Sequence, residues 1–338
     1  MKVVAITGEK QCALVDKPDP KAGANIVVVK ITITPMCTEF KAYKNGSKSE
    51  SLGHEAAGEV VEVAQPCKVK KGDRVVVMPL DACGVCPLCL DGEYIHCQRG
   101  VDVLKITGSA AGRATYAQFL VKNDWQLLPI PDGMSYEHAS MACCGLGPTF
   151  GAMQLMRVDA FDTLLITGLG PVGLGGVING VYRGARVIGV ESQPYRAKLA
   201  KELGAAEVVD PNDKDALAKI KALTKGLGVD KAVDCSGVPQ AQRLMIDALR
   251  RKGHGSFVGE GGELTIKGSD DMIRKGITLH GAWHWNLADT PQMMQVITKS
   301  SRLLDKVITH RFPMSKVKDA WELQLTGNCG KVLLRPWE

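Results

Sequence analysis

The sequence predicts an α/β protein in which a mostly β domain precedes a doubly wound parallel sheet. With 338 residues, the chain is long enough for about two hydrophobic cores. Its first part contains short β-rich runs broken by Gly and Pro. From Asp162 to about residue 285, strand-like and helix-like runs alternate, which is the pattern of a parallel sheet with crossover helices.

Composition indicates a folded globular protein. Hydrophobic residues make up 45% of the chain and charged residues 23%. No run approaches the roughly 18 apolar residues of a membrane span, and the start MKVVAITGEK has no apolar signal-peptide core, so we expect a cytoplasmic protein without a membrane partner. The formal charge of +6 is spread along the chain, so no nucleic-acid partner is expected.

The first domain is predicted from β-rich runs such as NIVVVKITIT, AAGEVVEV and DRVVVMPL. Three candidate metal ligands accompany them: Cys37 after the run ending at Thr34, His54 in SLGHEAAGEV, and Cys144 in ACCGLGPTFGAM. Two thiolates and one imidazole make a three-ligand zinc site with an open fourth position, which polarises an alcohol and lowers its pKa. Spacing alone leaves their convergence open.

A second metal site is predicted by the stretch DACGVCPLCLDGEYIHC. It contains four cysteines within fifteen residues, in the pattern C-x2-C-x2-C-x7-C, at Cys83, Cys86, Cys89 and Cys97. A cytosolic chain of this size does not need disulfides, and four thiolates complete a tetrahedral structural zinc. An iron–sulfur cluster is the chemical rival, but this spacing differs from the usual ferredoxin patterns.

The stretch DTLLITGLGPVGLGGVINGVYRGARVIGVE predicts a β-α-β unit of Rossmann type that binds a dinucleotide. Strands are expected at Thr163 to Thr167 and Arg186 to Val190, on either side of a G-x-G-x-x-G loop and a helix whose N-terminus faces the pyrophosphate. Glu191 is positioned to accept hydrogen bonds from the adenosine ribose, which favours NAD, although Arg196 leaves NADP open. The expected cofactor contacts are Gly168, Gly170, Pro171, Val172, Gly173, Glu191 and Arg196.

The order of these motifs resembles the zinc-dependent medium-chain alcohol dehydrogenase family, essentially from end to end. The matching features are the G-H-E motif at 53–55, the four-cysteine lobe from Cys83 to Cys97, Cys144-Gly145 at the domain junction, the glycine loop, and the closing ITHRFPMSKVKDAWELQLTGNCGKVLLRP. The resemblance implies a chaperonin-10-like catalytic domain over 1–145, a dinucleotide-binding domain over 146–286, and a return to the catalytic domain over 287–338.

The resemblance also implies a catalytic zinc at Cys37, His54 and Cys144. Glu55 is then a neighbour that ligates transiently, and Cys143 is the less favoured of the two junction thiols because Cys144 directly precedes the glycine. Together with the lobe, this makes two zinc ions per chain, one catalytic and one structural.

One segment departs from the family pattern. Members usually read C-G-[ST]-D after the first ligand, whereas this chain reads Cys37-Thr38-Glu39, as if one residue were missing. We interpret Thr38 as the hydroxyl of a proton relay and Glu39 as the acid that holds the zinc-bound histidine. If no residue is missing, Glu39 itself occupies the relay position. The frequent downstream relay histidine is replaced by Lys41 or Ala42.

The predicted function is a zinc-dependent oxidoreductase that transfers a hydride between a secondary alcohol or polyol and NAD. The preference for a polyol rests on resemblance to members with acidic zinc neighbours. Alternatives are a zinc-free quinone or enoyl reductase of the same superfamily and a noncatalytic zinc-binding interaction module. We expect a homodimer or homotetramer, in which the tryptophans of GAWHWN lie either at a subunit interface or in the core.

Overall fold

A computed structural model describes all 338 residues. The chain forms two compact units. The first contains residues 1–145, 286–298 and 308–338, and the second contains residues 146–285 and 299–307. In this division the short segment 299–307 groups with the second unit, while the closing segment from Ile308 groups with the first. None of the helices is long and apolar enough to cross a membrane.

The elements of the N-terminal part of the first unit are mostly strands. They are β1 (Lys2–Gly8), β2 (Gln11–Asp16), β3 (Ile26–Pro35), α1 (Glu39–Asn45), β4 (Ala56–Glu62), β5 (Arg74–Val77), α2 (Pro87–Leu90), α3 (Val103–Thr107), β6 (Phe119–Asn123), β7 (Leu127–Pro129) and α4 (Tyr136–Ser140). Short 3-10 turns lie at Tyr94–His96 and Asp124–Gln126.

Helices and strands alternate in the second unit. They are α5 (Gly147–Met156), β8 (Thr163–Thr167), α6 (Pro171–Tyr182), β9 (Arg186–Val190), α7 (Pro194–Glu202), β10 (Glu207–Val209), α8 (Ala216–Ala222), β11 (Val229–Asp234), α9 (Pro239–Ala248), β12 (Leu249–Phe257) and β13 (Thr278–Gly281). A single π-helical stretch lies at Gly268–Ile273. The chain closes with α10 (Thr290–Lys299), α11 (Ser301–Val307), β14 (Ile308–Pro313), α12 (Val317–Thr326) and β15 (Lys331–Arg335).

The first unit is built around a seven-stranded sheet in the order β14-β15-β3-β4-β5-β7, with β6 also paired to β3. β3 is its centre, because it pairs antiparallel with β4, β6 and β15. Its side chains are buried at nearly every position. The sheet therefore brings the C-terminal end of β3, the start of β4 and the closing strand β15 close together.

The second unit is a six-stranded parallel sheet in the order β10-β9-β8-β11-β12-β13, which confirms the predicted doubly wound α/β fold. The predicted strands over Thr163–Thr167 and Arg186–Val190 are β8 and β9. From β8 the chain builds outward to β10 on one side and then from β11 to β13 on the other. The carboxyl ends of β8 and β11 consequently form a topological switch point, where such sheets bind ligands.

The tryptophans of GAWHWN follow β13, the edge strand of this sheet. Trp285 is 2% exposed and packs edge-on against Phe150 at a ring distance of 6.0 Å, so it belongs to the core. Trp283 is 48% exposed. The core interpretation therefore holds for Trp285, while a place for Trp283 at a subunit interface stays a prediction.

Candidate metal centres and dinucleotide site

The three predicted catalytic ligands converge in the first unit. Cys37 follows β3 and His54 precedes β4, and these strands are antiparallel neighbours, so the end of one lies beside the start of the other. The ligand atoms of Cys37, His54, Glu55 and Cys144 all lie within 4.8 Å of one another. His54 Nε2 is 3.2 Å from Cys144 Sγ. The sheet pairing thus brings Cys37 and His54 together, and the hydrogen bond from the Cys144 N–H to Glu55 holds Cys144 beside them.

Glu39 orients the histidine of this cluster. Its Oε1 lies 3.0 Å from His54 Nδ1, and its Oε2 accepts a hydrogen bond of 3.1 Å from the Cys37 backbone N–H. Because Nδ1 donates to a carboxylate, Nε2 is the ring nitrogen left to bind a metal. This contact is the one expected if Glu39 holds the histidine, as in the first of the two sequence interpretations.

Thr38 occupies the N-cap position of α1 and makes no side-chain capping bond. Its side chain is exposed. A hydroxyl that is free of protein partners and open to solvent is available to pass a proton, whereas the Glu39 carboxylate is already engaged by His54 and by Cys37.

The protonation of the cluster reflects its excess of acidic groups. A hydrogen bond from Cys144, opposed by burial and helped by His54, holds the pKa of Cys37 well below its usual range, while the same pairing with Cys37 and burial raise the pKa of Cys144. Burial lowers the pKa of His54, but hydrogen bonds to Cys37 and Glu39 outweigh it and raise that pKa to about 11. The shifts therefore place a protonated His54 beside an ionised Cys37 thiolate.

Glu55 is buried beside the cluster and paired with a lysine that the sequence did not reveal. Lys331 Nζ lies 2.7 Å and 3.0 Å from the two carboxylate oxygens, and both side chains are almost completely inaccessible. Oε2 also accepts a 3.1 Å bond from the Cys144 backbone N–H. Burial raises the pKa of Glu55 to about 7, although Lys331 opposes the shift. In sequence, Lys331 is only the first residue of an apolar strand.

Cys143 does not take part in the cluster. Its side chain is fully buried, its Sγ donates to the Val77 carbonyl at 3.4 Å, and burial raises the pKa of its thiol. The preference for Cys144 over Cys143 as the junction thiol therefore agrees with the direction in which each side chain points.

The four lobe cysteines form a second cluster. Adjacent sulfurs are 3.5 Å apart between Cys86 and Cys89, and 3.9 Å apart both between Cys83 and Cys89 and between Cys86 and Cys97. Zinc with four Zn–S bonds of about 2.3 Å has sulfur–sulfur edges of about 3.8 Å. The spacing thus matches a closed tetrahedral thiolate site, and every position of the tetrahedron is filled by protein.

The lobe is anchored by a segment distant in sequence. Asn286 Nδ2 donates to the Asp91 carbonyl at 2.7 Å and to Glu93 Oε1 at 2.8 Å. Trp125 packs against Gly84, where a Cβ would lie 2.7 Å from the indole nitrogen and where the φ of +75° also favours glycine. The loop is therefore held by a few specific contacts in addition to its thiol cluster.

The glycine loop has the geometry of a dinucleotide site. Gly168 follows β8 with φ +81°, and Gly170 is the N-cap of α6, which begins at Pro171. A Cβ on Gly173 would lie 2.0 Å from the Gly168 carbonyl oxygen, so helix and strand approach this closely only with glycine there. Around Gly170 the space is open, with no atom within 4 Å of a Cβ. That cradle at a helix N-terminus fits a pyrophosphate.

Glu191 directly follows β9 and lies beside this loop. Its Oε2 accepts a 2.8 Å bond from the Leu169 N–H, and its Oε1 accepts 2.9 Å bonds from the Ser192 and Gln193 N–H groups. The carboxylate is thereby held in one orientation at the edge of the glycine loop, with acceptor capacity left for ribose hydroxyls. Arg196 lies on α7, the next helix, and is partly buried.

A buried acid at the switch point was not singled out by the sequence. Asp234, at the end of β11, is fully buried and accepts hydrogen bonds from Thr167 Oγ1 at 2.7 Å, Ser236 Oγ at 2.6 Å and the Gly237 N–H at 3.0 Å. It ties the ends of β8 and β11 together beside Gly168. In sequence, Asp234 is the last residue of an apolar run before Cys235-Ser236-Gly237 and resembles an ordinary strand end.

Comparisons with known proteins place the chain in a family. Residues 23–132 match the alcohol dehydrogenase GroES-like domain and residues 171–299 match the zinc-binding dehydrogenase domain. The D-arabitol-phosphate dehydrogenase of Enterococcus avium is 30% identical over 97% of this chain and 94% of its own length. The L-threonine 3-dehydrogenase of Pyrococcus horikoshii is 31% identical over 98% of each chain. This chain belongs to the zinc-dependent medium-chain alcohol dehydrogenase family.

Solved structures agree with this assignment. The alcohol dehydrogenase TADH from Thermus sp. ATN1 superimposes with a TM-score of 0.89 over 99% of each chain at 21% identity, which shows the shared fold. The 2R,3R-butanediol dehydrogenase from Bacillus subtilis superimposes with a TM-score of 0.84 at 25% identity, again over 99% of each chain.

As a member of this family, the protein is an oxidoreductase that transfers a hydride between an alcohol and a nicotinamide dinucleotide, and it is of the zinc type. The residues present fit both groups. Soft thiolates and an imidazole suit zinc, and the glycine loop with its open cradle suits a pyrophosphate. Membership excludes the noncatalytic interaction module, and the intact Cys37, His54 and Cys144 set argues against the zinc-free reductase.

Proposed function

We propose that this dehydrogenase interconverts a secondary alcohol or polyol and its ketone with NAD, at a catalytic zinc held by Cys37, His54 and Cys144. The observation that carries the proposal is the convergence of these side chains, whose ligand atoms lie together with that of Glu55 within 4.8 Å. Two thiolates and one imidazole leave a tetrahedral metal with one open position. A substrate oxygen needs that position.

Zinc at such a site supplies Lewis-acid polarisation, which lowers the pKa of an alcohol and stabilises negative charge on its oxygen. The chain's own residues prepare the site for it. Glu39 holds the His54 Nδ1–H at 3.0 Å and so directs Nε2 toward the thiols. The Lys331 ammonium and the Cys144 N–H hold the Glu55 carboxylate beside the cluster. We assign to Glu55 the role of a neighbour that ligates transiently.

Alcohol oxidation also releases a proton, and we assign its passage to solvent to Thr38. The Thr38 hydroxyl is exposed and free of protein partners at the start of α1, one residue from Cys37. Glu39 is engaged by His54, so it serves to orient rather than to conduct. Neither Lys41 nor Ala42 offers the imidazole that would extend a relay.

We propose NAD rather than NADP as the cofactor. Glu191 presents a carboxylate, fixed by three backbone N–H groups, at the end of the strand that follows the glycine loop. A carboxylate there accepts hydrogen bonds from a ribose diol and repels a 2′-phosphate. The remaining contacts to the dinucleotide are assigned to the glycine loop, Pro171, Val172 and Arg196.

Relatives support the substrate class. They include enzymes named for D-arabitol-phosphate and L-threonine, and a solved structure is that of a 2R,3R-butanediol dehydrogenase. Each of these compounds carries a secondary hydroxyl. We therefore propose a small secondary alcohol or polyol as the substrate.

We further propose a second, structural zinc in the lobe, bound by Cys83, Cys86, Cys89 and Cys97. The supporting observation is the match of the sulfur distances to a tetrahedron of thiolates.

The proposed assembly is a homodimer or homotetramer that pairs along the edge strand β13, next to the exposed Trp283. Light scattering coupled to gel filtration measures that state directly.

The test compares Cys144→Ser with the adjacent Cys143→Ser. Zinc content and NAD-linked turnover are measured with a panel of secondary alcohols, polyols and aldehydes. Cys144→Ser is expected to lose one zinc and nearly all turnover on every substrate the wild type uses. Cys143→Ser is expected to keep both zinc ions, because its thiol donates to the Val77 carbonyl and lies outside both ligand clusters. Full activity in Cys144→Ser would refute the catalytic assignment.

A further inference from the structure

Tyr116 contacts the candidate catalytic centre although no sequence motif pointed to it. It lies just ahead of β6, and its backbone is fixed by bonds to Leu52 and Val4 of 3.0 Å and 2.9 Å. Its ring lies directly against Gly53, where a Cβ would come within 2.4 Å of the ring. The residue before His54 is therefore a glycine for two reasons, the ring of Tyr116 and a φ of +82°.

The Tyr116 hydroxyl has one polar partner in an apolar setting. It donates to Glu39 Oε2 at 3.1 Å. The ring is completely buried in a cluster that includes Met36, Leu52 and Trp321, with the Trp321 ring 6.1 Å away. Because a buried phenol needs a hydrogen-bond partner, this setting leaves the hydroxyl dependent on the Glu39 carboxylate.

The same carboxylate is shared between anchoring and orienting contacts. Oε2 is anchored by the Tyr116 hydroxyl and the Cys37 N–H, both at 3.1 Å, while Oε1 faces His54 Nδ1 at 3.0 Å. A glutamate side chain has three torsions to fix, and ordering them costs conformational entropy. Two fixed donors on one oxygen select the single rotamer that points the other oxygen at the histidine.

We propose that Tyr116 is a positioning residue of the metal centre, whose hydroxyl holds Glu39 in the rotamer that orients His54 for metal binding. This rests on the proposed catalytic zinc site. The Tyr116 hydroxyl bonds the Glu39 carboxylate, so it acts on His54 through that carboxylate. Glutamate has a longer and more mobile side chain than the aspartate of the usual family pattern. The Tyr116 hydroxyl thereby keeps Glu39 in the fixed orientation that a partner of a metal-binding histidine requires.

The first measurement is the zinc affinity of the catalytic site by chelator competition, made on the full-length protein. Loss of the residue that holds a metal ligand weakens metal binding by about 10- to 100-fold. Tyr116 contacts that residue rather than the ligand itself, so we expect zinc affinity to fall by about tenfold in Tyr116→Phe. The lobe zinc is expected to be unaffected. Tyr43→Phe is the matched control, because it removes a buried phenol hydroxyl from the same cluster whose partner is Glu322 rather than Glu39.

The second measurement is the visible absorption of protein with Co²⁺ at the catalytic site, which reports ligand geometry. A changed spectrum is expected in Tyr116→Phe and an unchanged one in Tyr43→Phe. In a double-mutant cycle, Tyr116→Phe should add little to the loss already caused by Glu39→Gln, because both act through one carboxylate.

Wild-type zinc affinity and an unchanged Co²⁺ spectrum in Tyr116→Phe would overturn the positioning role while leaving the proposed function intact. Additive losses in the cycle would likewise overturn it, since Tyr116 would then act by another route. Failure of the proposed function would give a different result. The wild type and Cys144→Ser would then bind the same amount of metal.

Discussion

Replacing Lys331 with methionine tests the buried ion pair beside the metal centre. The pair is tight and dry: Nζ lies 2.7 Å and 3.0 Å from the Glu55 oxygens, and the two side chains are 1% and 0% exposed. Lys331→Met leaves a carboxylate in the core without its counter-charge. Removing one partner of such a pair destabilises a protein by about 3–5 kcal/mol, and we expect a loss of about 4 kcal/mol.

The assay is urea unfolding of zinc-saturated protein, followed by tryptophan fluorescence at pH 8. Lys10→Met is the control, because the Lys10–Glu322 pair is 3.5 Å apart and about half exposed, and exposed pairs contribute only about 0–1 kcal/mol. Adding Glu55→Gln to Lys331→Met removes the orphaned charge while the amide oxygen can still accept from Cys144. The double variant should recover at least about half of the lost stability.

The loss should also depend on pH. Burial raises the pKa of Glu55 to about 7, above its ordinary value of 4.5. At pH 8 the carboxyl is mostly charged, and Lys331 offsets the cost of burying that charge in the wild type, whereas nothing offsets it in Lys331→Met. At pH 5 it is neutral in both proteins, and the difference between them should shrink. A loss below about 1 kcal/mol at pH 8, or no recovery in the double variant, would refute the reasoning.

Two further predictions concern the other sites. In Cys89→Ser the lobe should lose its zinc and become sensitive to limited proteolysis, while specific activity per folded molecule persists. Cys12→Ser is the control, because Cys12 lies outside both clusters. A lobe that stays protected in protein that has lost its turnover would contradict this prediction. Glu191→Ala should weaken NAD binding and raise relative use of NADP, as measured by kcat/KM for each, whereas Glu202→Ala on the exposed end of α7 should not. An unchanged cofactor ratio in Glu191→Ala would count against its ribose role.

What the sequence determined by itself was local. The bounds of the two strands that flank the glycine loop were predicted correctly. A β-α-β unit is recognisable because its hydrophobic runs are consecutive in sequence and one tight turn between them requires glycines. The four-cysteine site of the lobe could also be predicted, since its ligands lie within fifteen residues and their spacing alone brings the sulfurs together. The resemblance to a family supplied the remaining catalytic ligands.

Only the tertiary structure decided which distant residues meet. Cys144 is 90 residues from His54, Tyr116 is 77 from Glu39, and Lys331 is 276 from Glu55. The contact between Lys331 and Glu55 depends on the pairing of β3 with β4 and β15, and Tyr116 is placed by backbone bonds to Val4 and Leu52. Pairing between distant segments leaves no local periodicity in a sequence. A lysine at the start of an apolar strand and a tyrosine in a core look ordinary until the tertiary structure places a carboxylate beside each of them.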